Sequence, residues 1–381
     1  MPSAPAKYVW VTDKAQLTIL PLTCNLLEDS VQTKPKASRE LWLDVAKGVG
    51  ILLLVVLHVF SESKALYGDD IVYFLKLFRM PMFFIVSGFL FAPARPWALA
   101  EKRVRTLLLP YVSYLVLVFL LIVGRYYALG MQSGYLSPRG VARLIVGGEY
   151  LTREFGVFWF VTSLFATQLL YNYLILKLHG PLTRPFALAV LLITTSGYVA
   201  NLLFPHVGTP LAIGAITYSL PLFWIGHILK TAKEDRLRTS ALCGIVIFGA
   251  MACYYLGYDL VMDLKTTKPG VPFLSIALAA CLTWLFFEAM KNLSRASISD
   301  RIFTPLSEAA ICIMFLHQFI HYTLRYVGLT SDMLIFAICV IVPTIFWSLA
   351  RRWTLTGALF LGTAPAPAFA KRRLSALTNN P

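Results

Sequence analysis

The sequence lacks the cysteine patterns that build disulfide frameworks or metal sites. It contains six cysteines and no C-x-x-C spacing, and all of them except Cys24 fall inside apolar runs. Cysteines in such runs are typically small buried core residues. We therefore expect neither a disulfide framework nor a metal-binding knuckle.

The sequence also lacks an internal repeat, a Pro/Ser-rich spacer and a signal-peptide core. The apolar patch at 17–27 is interrupted by proline and polar residues, and no A-x-A-like cleavage site follows it. We expect one membrane domain at 39–352. The flanking segments 1–38 and 353–381 are expected to be cytoplasmic tails, the first of them partly disordered.

Hydrophobic residues, in contrast, are abundant. They make up 58% of the chain, and the mean hydropathy is +0.69, whereas a soluble domain is roughly 45–50% apolar. These values predict an all-α, polytopic membrane helix bundle of about ten transmembrane helices. The predicted spans are 41–60, 71–91, 107–128, 157–176, 185–203, 210–229, 239–257, 272–290, 305–328 and 333–350.

The net charge of +15 is compatible with nucleic-acid binding, but the basic residues lie between apolar runs and form no patch interleaved with aromatics. If the N-terminus is inside, the inner segments hold 23 of the 34 basic residues and the outer loops hold six. This asymmetry follows the positive-inside rule. We therefore expect membrane lipid, and no nucleic acid, as a partner, with both termini in the cytoplasm.

Five basic residues lie within the predicted spans, where a charge needs a physical reason. They are Lys47, Lys76, Arg79, Arg125 and Arg325. Lys76 and Arg125 lie toward the outer ends of their spans, so we expect their side chains to snorkel to the interface. Arg79 lies deeper in its span and needs a partner or a function.

The first span carries Asp44, Lys47 and His58 on one stripe. A helix turns about 100° per residue, so Lys47 and His58 lie within about 20° of each other around the axis and roughly 16 Å apart along it. A polar stripe on an apolar helix is expected to face the bundle interior or a cavity. His58 and Arg79 then share the outer half of the membrane, where they can meet, while Lys47 lies in the inner half.

Three motifs follow one another in the first third of the chain. They are Lys47 followed after ten residues by His58, the phenylalanine-rich Ser-Gly-Phe stretch at 83–89, and the basic cluster Lys102, Arg103 and Arg105 before Pro110-Tyr111. In this order they resemble the membrane acyltransferase-3 family, and the resemblance covers roughly residues 39–350. The most similar subset is the sugar O-acetyltransferases, including those described as fucose 4-O-acetylase-like.

The resemblance implies an integral membrane O-acyltransferase of the bacterial cytoplasmic (inner) membrane. Its donor would be acetyl-CoA or another acyl-CoA, with no tightly bound cofactor, and its acceptor a carbohydrate hydroxyl of a polysaccharide or lipid-linked precursor. Polysaccharide-assembly proteins are the expected protein partners. Members often carry histidine at the position of Arg79, and because arginine stays protonated we do not expect a base there.

Acyl transfer to a hydroxyl requires a base, a group that stabilises the oxyanion and a binding site for the donor. His58 is the predicted catalytic base, although a buried histidine hydrogen-bonded between helices would show the same pattern. Arg79 is predicted to stabilise the oxyanion or to hold a sugar or a carboxylate, and the alternative is an interhelical salt bridge.

Basic residues on the inner side suit the phosphates of a donor. We predict donor binding by Lys102, Arg103 and Arg105, although a topology anchor would explain these three almost as well. Lys47 is a further donor-binding candidate and could equally pair with Asp44. The predicted substrate-binding residues are Asp44, Glu154, Trp159 and His317.

Several of these residues have alternative explanations. Glu154 and Trp159 suit a sugar, but an interfacial aromatic belt is the alternative. His317 and His321 have a metal-ligand spacing, yet no carboxylate occupies the usual position, so no metal is expected. Ser87 could carry an acyl intermediate, but Ser-Gly in a membrane helix is more typical of a packing notch.

Two other classes of protein also use polytopic bundles. A transporter or flippase for a glycan or polar metabolite typically shows matched repeats and broken helices, and neither is evident in the sequence. A scaffold protein is disfavoured by the charged residues within the spans.

The charge distribution predicts topology. Reporter fusions after residues 230–238 and at the C-terminus should report the cytoplasm, and fusions near Gly134 should report the outside, because basic loops stay inside. A periplasmic signal from the C-terminal fusion would contradict the predicted arrangement.

Overall fold

The structure is a computed structural model that describes residues 41–61, 69–205, 207–231, 235–296 and 299–363. The predicted tail 1–38 lies outside these residues, and so do residues 364–381. The regular structure of the described part is helical, and no β-strand occurs in it. The all-α fold predicted from composition is confirmed.

The described residues form the following α-helices. They are α1 (Leu41–Phe60), α2 (Asp69–Phe89), α3 (Pro96–Arg103), α4 (Leu109–Leu129), α5 (Pro138–Val146), α6 (Trp159–Lys177), α7 (Arg184–Leu203), α8 (Ile216–Thr231), α9 (Arg236–Tyr255), α10 (Leu274–Leu293), α11 (Ser299–Glu308), α12 (Ala310–Tyr326), α13 (Asp332–Ala350) and α14 (Thr354–Leu361). Short 3₁₀ turns lie at Gly134–Leu136, Gly148–Tyr150, Arg153–Phe155 and Pro210–Ala215.

Nine segments of the described chain are long and apolar enough to cross a membrane. They contain α1, α2, α4, α6, α7, α8, α9, α10 and α13. The chain is therefore a multi-pass membrane helix bundle, as predicted.

The ninth predicted span, 305–328, is not one straight helix. It consists of α11 and α12, which meet around Ala309 at an angle of 71°. Counting this bent pair, the described bundle has up to ten spans. Hydropathy did not predict the bend, because it reports the length and apolarity of a run and not its straightness.

The first helix lies at the centre of the bundle. α1 packs against α2, α10, α11, α12 and α13, and 67% of its apolar window is buried, compared with 11% for α9. Because α1 is enclosed by other helices, its polar side chains face protein or an internal cavity.

The chain continues past the last span as a packed helix. α14 begins inside the predicted tail 353–381 and packs against α4 and α13. The ring of Phe360 lies 5.2 Å from that of Tyr114 and 5.3 Å from that of Phe346. Residues 354–361 therefore belong to the folded bundle.

Two glycines allow α2 and α8 to cross at close range. A Cβ atom at Gly88 would collide with the backbone of Phe223, and one at Gly226 would collide with the backbone of Ile85. The hydroxyl of Ser87 donates to the carbonyl of Phe83 in its own helix, at 2.7 Å. The predicted packing notch at Ser87-Gly88 is confirmed.

This crossing yields a stability prediction. Gly88→Ala should lower the free energy of unfolding by about 1–3 kcal/mol, because the added methyl forces two backbones apart. Thermal unfolding in detergent would show the loss as a lower Tm. Gly124→Ala is the matched control, since nothing lies within 4 Å of a Cβ atom there. Equal Tm values for the two variants would contradict the close crossing.

Candidate active site

A central cavity of about 800 Å³ runs beside α1. Lys47 and His58 both line it, and their spacing along the helix places them roughly 16 Å apart. The predicted polar stripe of α1 therefore faces a cavity, as expected. In the predicted orientation, which puts the N-terminus in the cytoplasm, Lys47 lies at the inner end of the cavity and His58 in its outer half.

His58 lies in a polar cluster on α1, α2 and α12. The side-chain nitrogen of Gln318 lies 3.3 Å from its Nδ1 and 3.4 Å from its Nε2. The ring of His317 lies 5.3 Å away, centroid to centroid. Arg79 lines the same cavity and interacts electrostatically with His58. His58 and Arg79 therefore line one cavity, as their shared depth predicted.

His317 supports this cluster from behind the cavity wall. It is fully buried, and its Nδ1 lies 2.9 Å from the carbonyl oxygens of Ile313 and Met314. A carbonyl only accepts, so Nδ1 carries the proton and Nε2 of the neutral ring is an acceptor. His317 does not line the cavity, so the structure favours a positioning role beside His58 over the predicted substrate contact.

Arg79 presents a guanidinium to the cavity from α2. The residue is 8% exposed, and its Nε and Nη1 have no hydrogen-bond partner among the described residues. A buried cation usually has a close anion or a full set of acceptors. The interhelical salt bridge considered for Arg79 is not found in the described part of the chain. Arg79 therefore lines the cavity without an ion-pair partner among the described residues.

The inner end of the cavity carries a paired charge. The ammonium of Lys47 lies 2.9 Å from the carboxylate of Asp44, and the hydroxyl of Ser307 donates to the same carboxylate at 3.1 Å. Lys47 nevertheless keeps 32% of its side chain exposed and lines the cavity. Lys47 can therefore pair with Asp44 and still contact a ligand in the cavity. Asp44 itself is buried.

A π turn at Val104–Leu108 forms the cavity wall near Lys47. Pro110 has no amide hydrogen, and the amide of Leu109 bonds to the carbonyl of Val104, five residues back. Such turns are frequent at functional sites. Here the turn places Thr106 and Leu107 in the cavity lining.

The predicted donor-binding cluster flanks this turn. Lys102 and Arg105 are exposed, and Arg103 is half-buried. Arg105 lies 2.5 Å from the carboxylate of Glu101. None of these three basic residues lines the cavity. They precede Thr106, which does line it, so they lie beside the cavity wall at the inner end.

Comparison with known proteins gives the cavity a chemical context. The sequence profile of the acyltransferase-3 family, described as an acyltransferase domain, matches residues 40–353. The chain belongs to this family. No curated protein and no solved structure matches it significantly. The protein is therefore a multi-pass membrane acyltransferase, whereas its place among the sugar O-acetyltransferases stays a prediction.

Two residues at the outer side of the acyltransferase behave differently from expectation. Arg125 was expected to snorkel, but it is 4% exposed and its Nη2 lies 2.6 Å from the carboxylate of Glu154. Glu154 is 1% exposed and does not line the cavity. The snorkelling prediction was wrong for Arg125, and the structure gives Glu154 a structural partner instead of a substrate-facing position.

Trp159, by contrast, lines the cavity. It is 5% exposed and its ring lies 6.2 Å from that of Phe160, which also lines the cavity. An interfacial belt would place the ring at the lipid boundary. The burial of Trp159 argues against that alternative and leaves the predicted sugar contact open.

Sequence reasoning missed other cavity residues of the acyltransferase. Gln318 lies beside His58, and because the two residues are far apart in the chain no local pattern indicates this contact. Lys265 was counted as an ordinary loop charge, yet it lines the cavity and burial lowers the pKa of its ammonium. No local signal separates such a lysine from a topology charge, because the 256–273 loop reaches the cavity only through the tertiary fold.

The Arg125–Glu154 pair yields a second stability prediction. Glu154→Gln should destabilise the acyltransferase by about 3–5 kcal/mol, because it leaves a buried guanidinium without its counter-charge. The double variant Arg125→Met, Glu154→Gln should recover part of the loss. Thermal unfolding measures both effects. An unchanged Tm with a raised acceptor KM in Glu154→Gln would instead indicate a substrate-binding carboxylate.

Proposed function

We propose that the acyltransferase moves an acetyl or similar acyl group from acyl-CoA to a hydroxyl of a cell-surface or exported polysaccharide, or of its lipid-linked precursor. One observation carries the proposal. A single cavity extends along α1 from Lys47 to His58, so a donor entering at the inner end and an acceptor entering at the outer end can meet within it.

The chemistry assigns distinct roles to His58 and Arg79. The acceptor hydroxyl oxygen attacks the thioester carbonyl carbon while neutral His58 takes the hydroxyl proton. The guanidinium of Arg79 stabilises the negative charge that develops on the carbonyl oxygen. The carbon–sulfur bond then breaks, and the coenzyme A thiolate recovers the proton from His58 as it leaves.

The donor is held at the inner end in this proposal. Lys102, Arg103 and Arg105 border the entrance beside Thr106, where they suit the phosphates of coenzyme A. Lys47 lies further in, on the path of the thioester arm toward His58. The donor is a substrate in this scheme, and no tightly held cofactor is required.

The acceptor side follows from the same orientation. The outer end of the cavity opens toward the side where exported glycans are assembled or displayed. The acyltransferase would then act in a bacterial inner membrane, next to polysaccharide-assembly proteins. Trp159 offers an aromatic surface for a sugar ring in the cavity wall.

A transporter or flippase remains the alternative function, and the bend between α11 and α12 is the observation that favours it. Broken helices in transporters occur in matched positions of two repeats. Within the described chain only one bent pair of helices is found. A single bend is not a matched pair of broken helices, and the chain belongs to an acyltransferase family. Both observations favour the enzyme over the transporter.

The role of His58 can be tested by substitution. Removing a general base costs on the order of 10²–10⁴ in rate, so His58→Ala should lose kcat by that factor and keep its donor affinity. His58→Gln should not restore activity, because an amide cannot take the proton. The assay is acyl transfer in nanodiscs, with protein amount and donor binding measured alongside.

His227→Gln is the matched control. His227 is also a buried histidine, its Nδ1 lies 2.8 Å from the hydroxyl of Tyr171, and it does not line the cavity. Its substitution should leave kcat within a few-fold of the parent. A near-normal kcat in His58→Ala would remove the base from the mechanism.

A further inference from the structure

The outer half of the central cavity carries more positive than negative charge. Its charged lining residues are Arg79, Arg153, Lys265 and Asp263. The carboxylate of Asp263 accepts hydrogen bonds from the amide of Lys265 at 3.0 Å and from the hydroxyl of Thr266 at 2.8 Å. Asp263 therefore serves largely to shape its own loop.

Among the described residues, neither Arg79 nor Lys265 has a carboxylate within ion-pair distance. The guanidinium of Arg79 is buried and has two nitrogens without partners among the described residues. The ammonium of Lys265 donates to the carbonyl oxygen of Leu151 at 2.5 Å, which is a neutral acceptor. In the described part of the chain, Asp263 acts on both Arg79 and Lys265, and Glu149 acts on Lys265, through electrostatics beyond ion-pair distance.

Arg153 adds a third positive group at the same end. Its guanidinium lies over the ring of Tyr322, 4.8 Å from the centroid. The carboxylate of Glu154 is 3.9 Å from its Nε, but Glu154 is bound more closely by Arg125, at 2.6 Å. The outer half of the cavity therefore retains an excess of positive charge.

The inner end shows the opposite arrangement. Lys47 is paired with Asp44 at 2.9 Å, and Glu308, which lines the cavity, lies 3.9 Å from Arg351. Lys47 is thus closely paired and Glu308 adds a negative charge, so the cavity lining at the inner end has no excess of positive charge. The unbalanced charge lies at the end from which the acceptor enters.

We infer that the acyltransferase selects an acceptor that carries an anionic group, a carboxylate or a phosphate, beside the hydroxyl that is acylated. This inference rests on the proposed function, because it assigns the outer half of the cavity to the acceptor. The phosphates of the donor do not supply this anion, since they remain at the inner entrance while the thioester arm extends toward His58. Lys265 and Arg153 act here as specificity-determining residues.

Direct binding tests the inference without requiring turnover. The probes are phenyl β-D-glucuronide, phenyl β-D-glucoside 6-phosphate and neutral phenyl β-D-glucoside, measured on the full chain in nanodiscs. At least one anionic glycoside should bind about ten-fold or more tightly than the neutral one, since hydrogen bonds to charged groups are the stronger ones. The tighter of the two anionic probes distinguishes a carboxylate from a phosphate.

Variants identify the residues responsible. The double variant Lys265→Met, Arg153→Met should lose most of the preference for an anion, and added salt should weaken the preference in the parent. Lys268→Met is the matched control, because Lys268 lies in the same loop, is exposed and does not line the cavity. It should keep the preference.

Three results would overturn the inference. They are equal affinity for the charged and neutral glycosides, a preference that survives in the double variant, and a loss of coenzyme A affinity in Lys265→Met, which would assign this charge to the donor. None of these depends on catalysis. If the His58 experiment shows that His58 is not the base, the glycoside affinities can still be interpreted, because they are measured without turnover.

Discussion

Polar groups within the hydrocarbon layer must find partners or face water, and this constraint arranges the bundle around α1. Asp44, Lys47 and His58 cannot face lipid, so neighbouring helices enclose the helix that carries them. The same requirement explains why Arg125 and Glu154 are buried together at 2.6 Å. Arg79 is an exception of another kind, because it lines the cavity and none of the ion pairs found among the described residues includes it. An exception at a cavity wall indicates a binding function.

The central cavity differs in charge between its two ends. At the inner end Lys47 is balanced by Asp44, while at the outer end Arg79 and Lys265 lack a close anion. Under the proposed function, the acyltransferase must distinguish a soluble donor on one side of the membrane from an acceptor on the other. A difference in charge along one cavity provides that distinction without two separate pockets.

The parts of the site that could be predicted are those set by local geometry. Lys47 and His58 lie on one helix, and a regular helix fixes their relative direction once the span is recognised. That His58 and Arg79 line one cavity followed from their shared depth. Arg125 and Glu154 were misassigned because depth does not say which way a side chain points, and their pairing joins a helix to a loop. The bend at Ala309 was missed because the run on both sides of it is apolar.

The sequence by itself determined that this chain is a helical membrane bundle, that α1 carries a polar stripe, and that its motifs are those of an acyltransferase family. These conclusions rest on hydropathy, helical periodicity and residue order, which are properties of short segments. Only the tertiary structure decided that Gln318 approaches His58, that His317 lies behind the wall, and that Lys265 reaches the cavity from a loop. Such contacts join residues far apart in the chain, and packing, not local pattern, decides them.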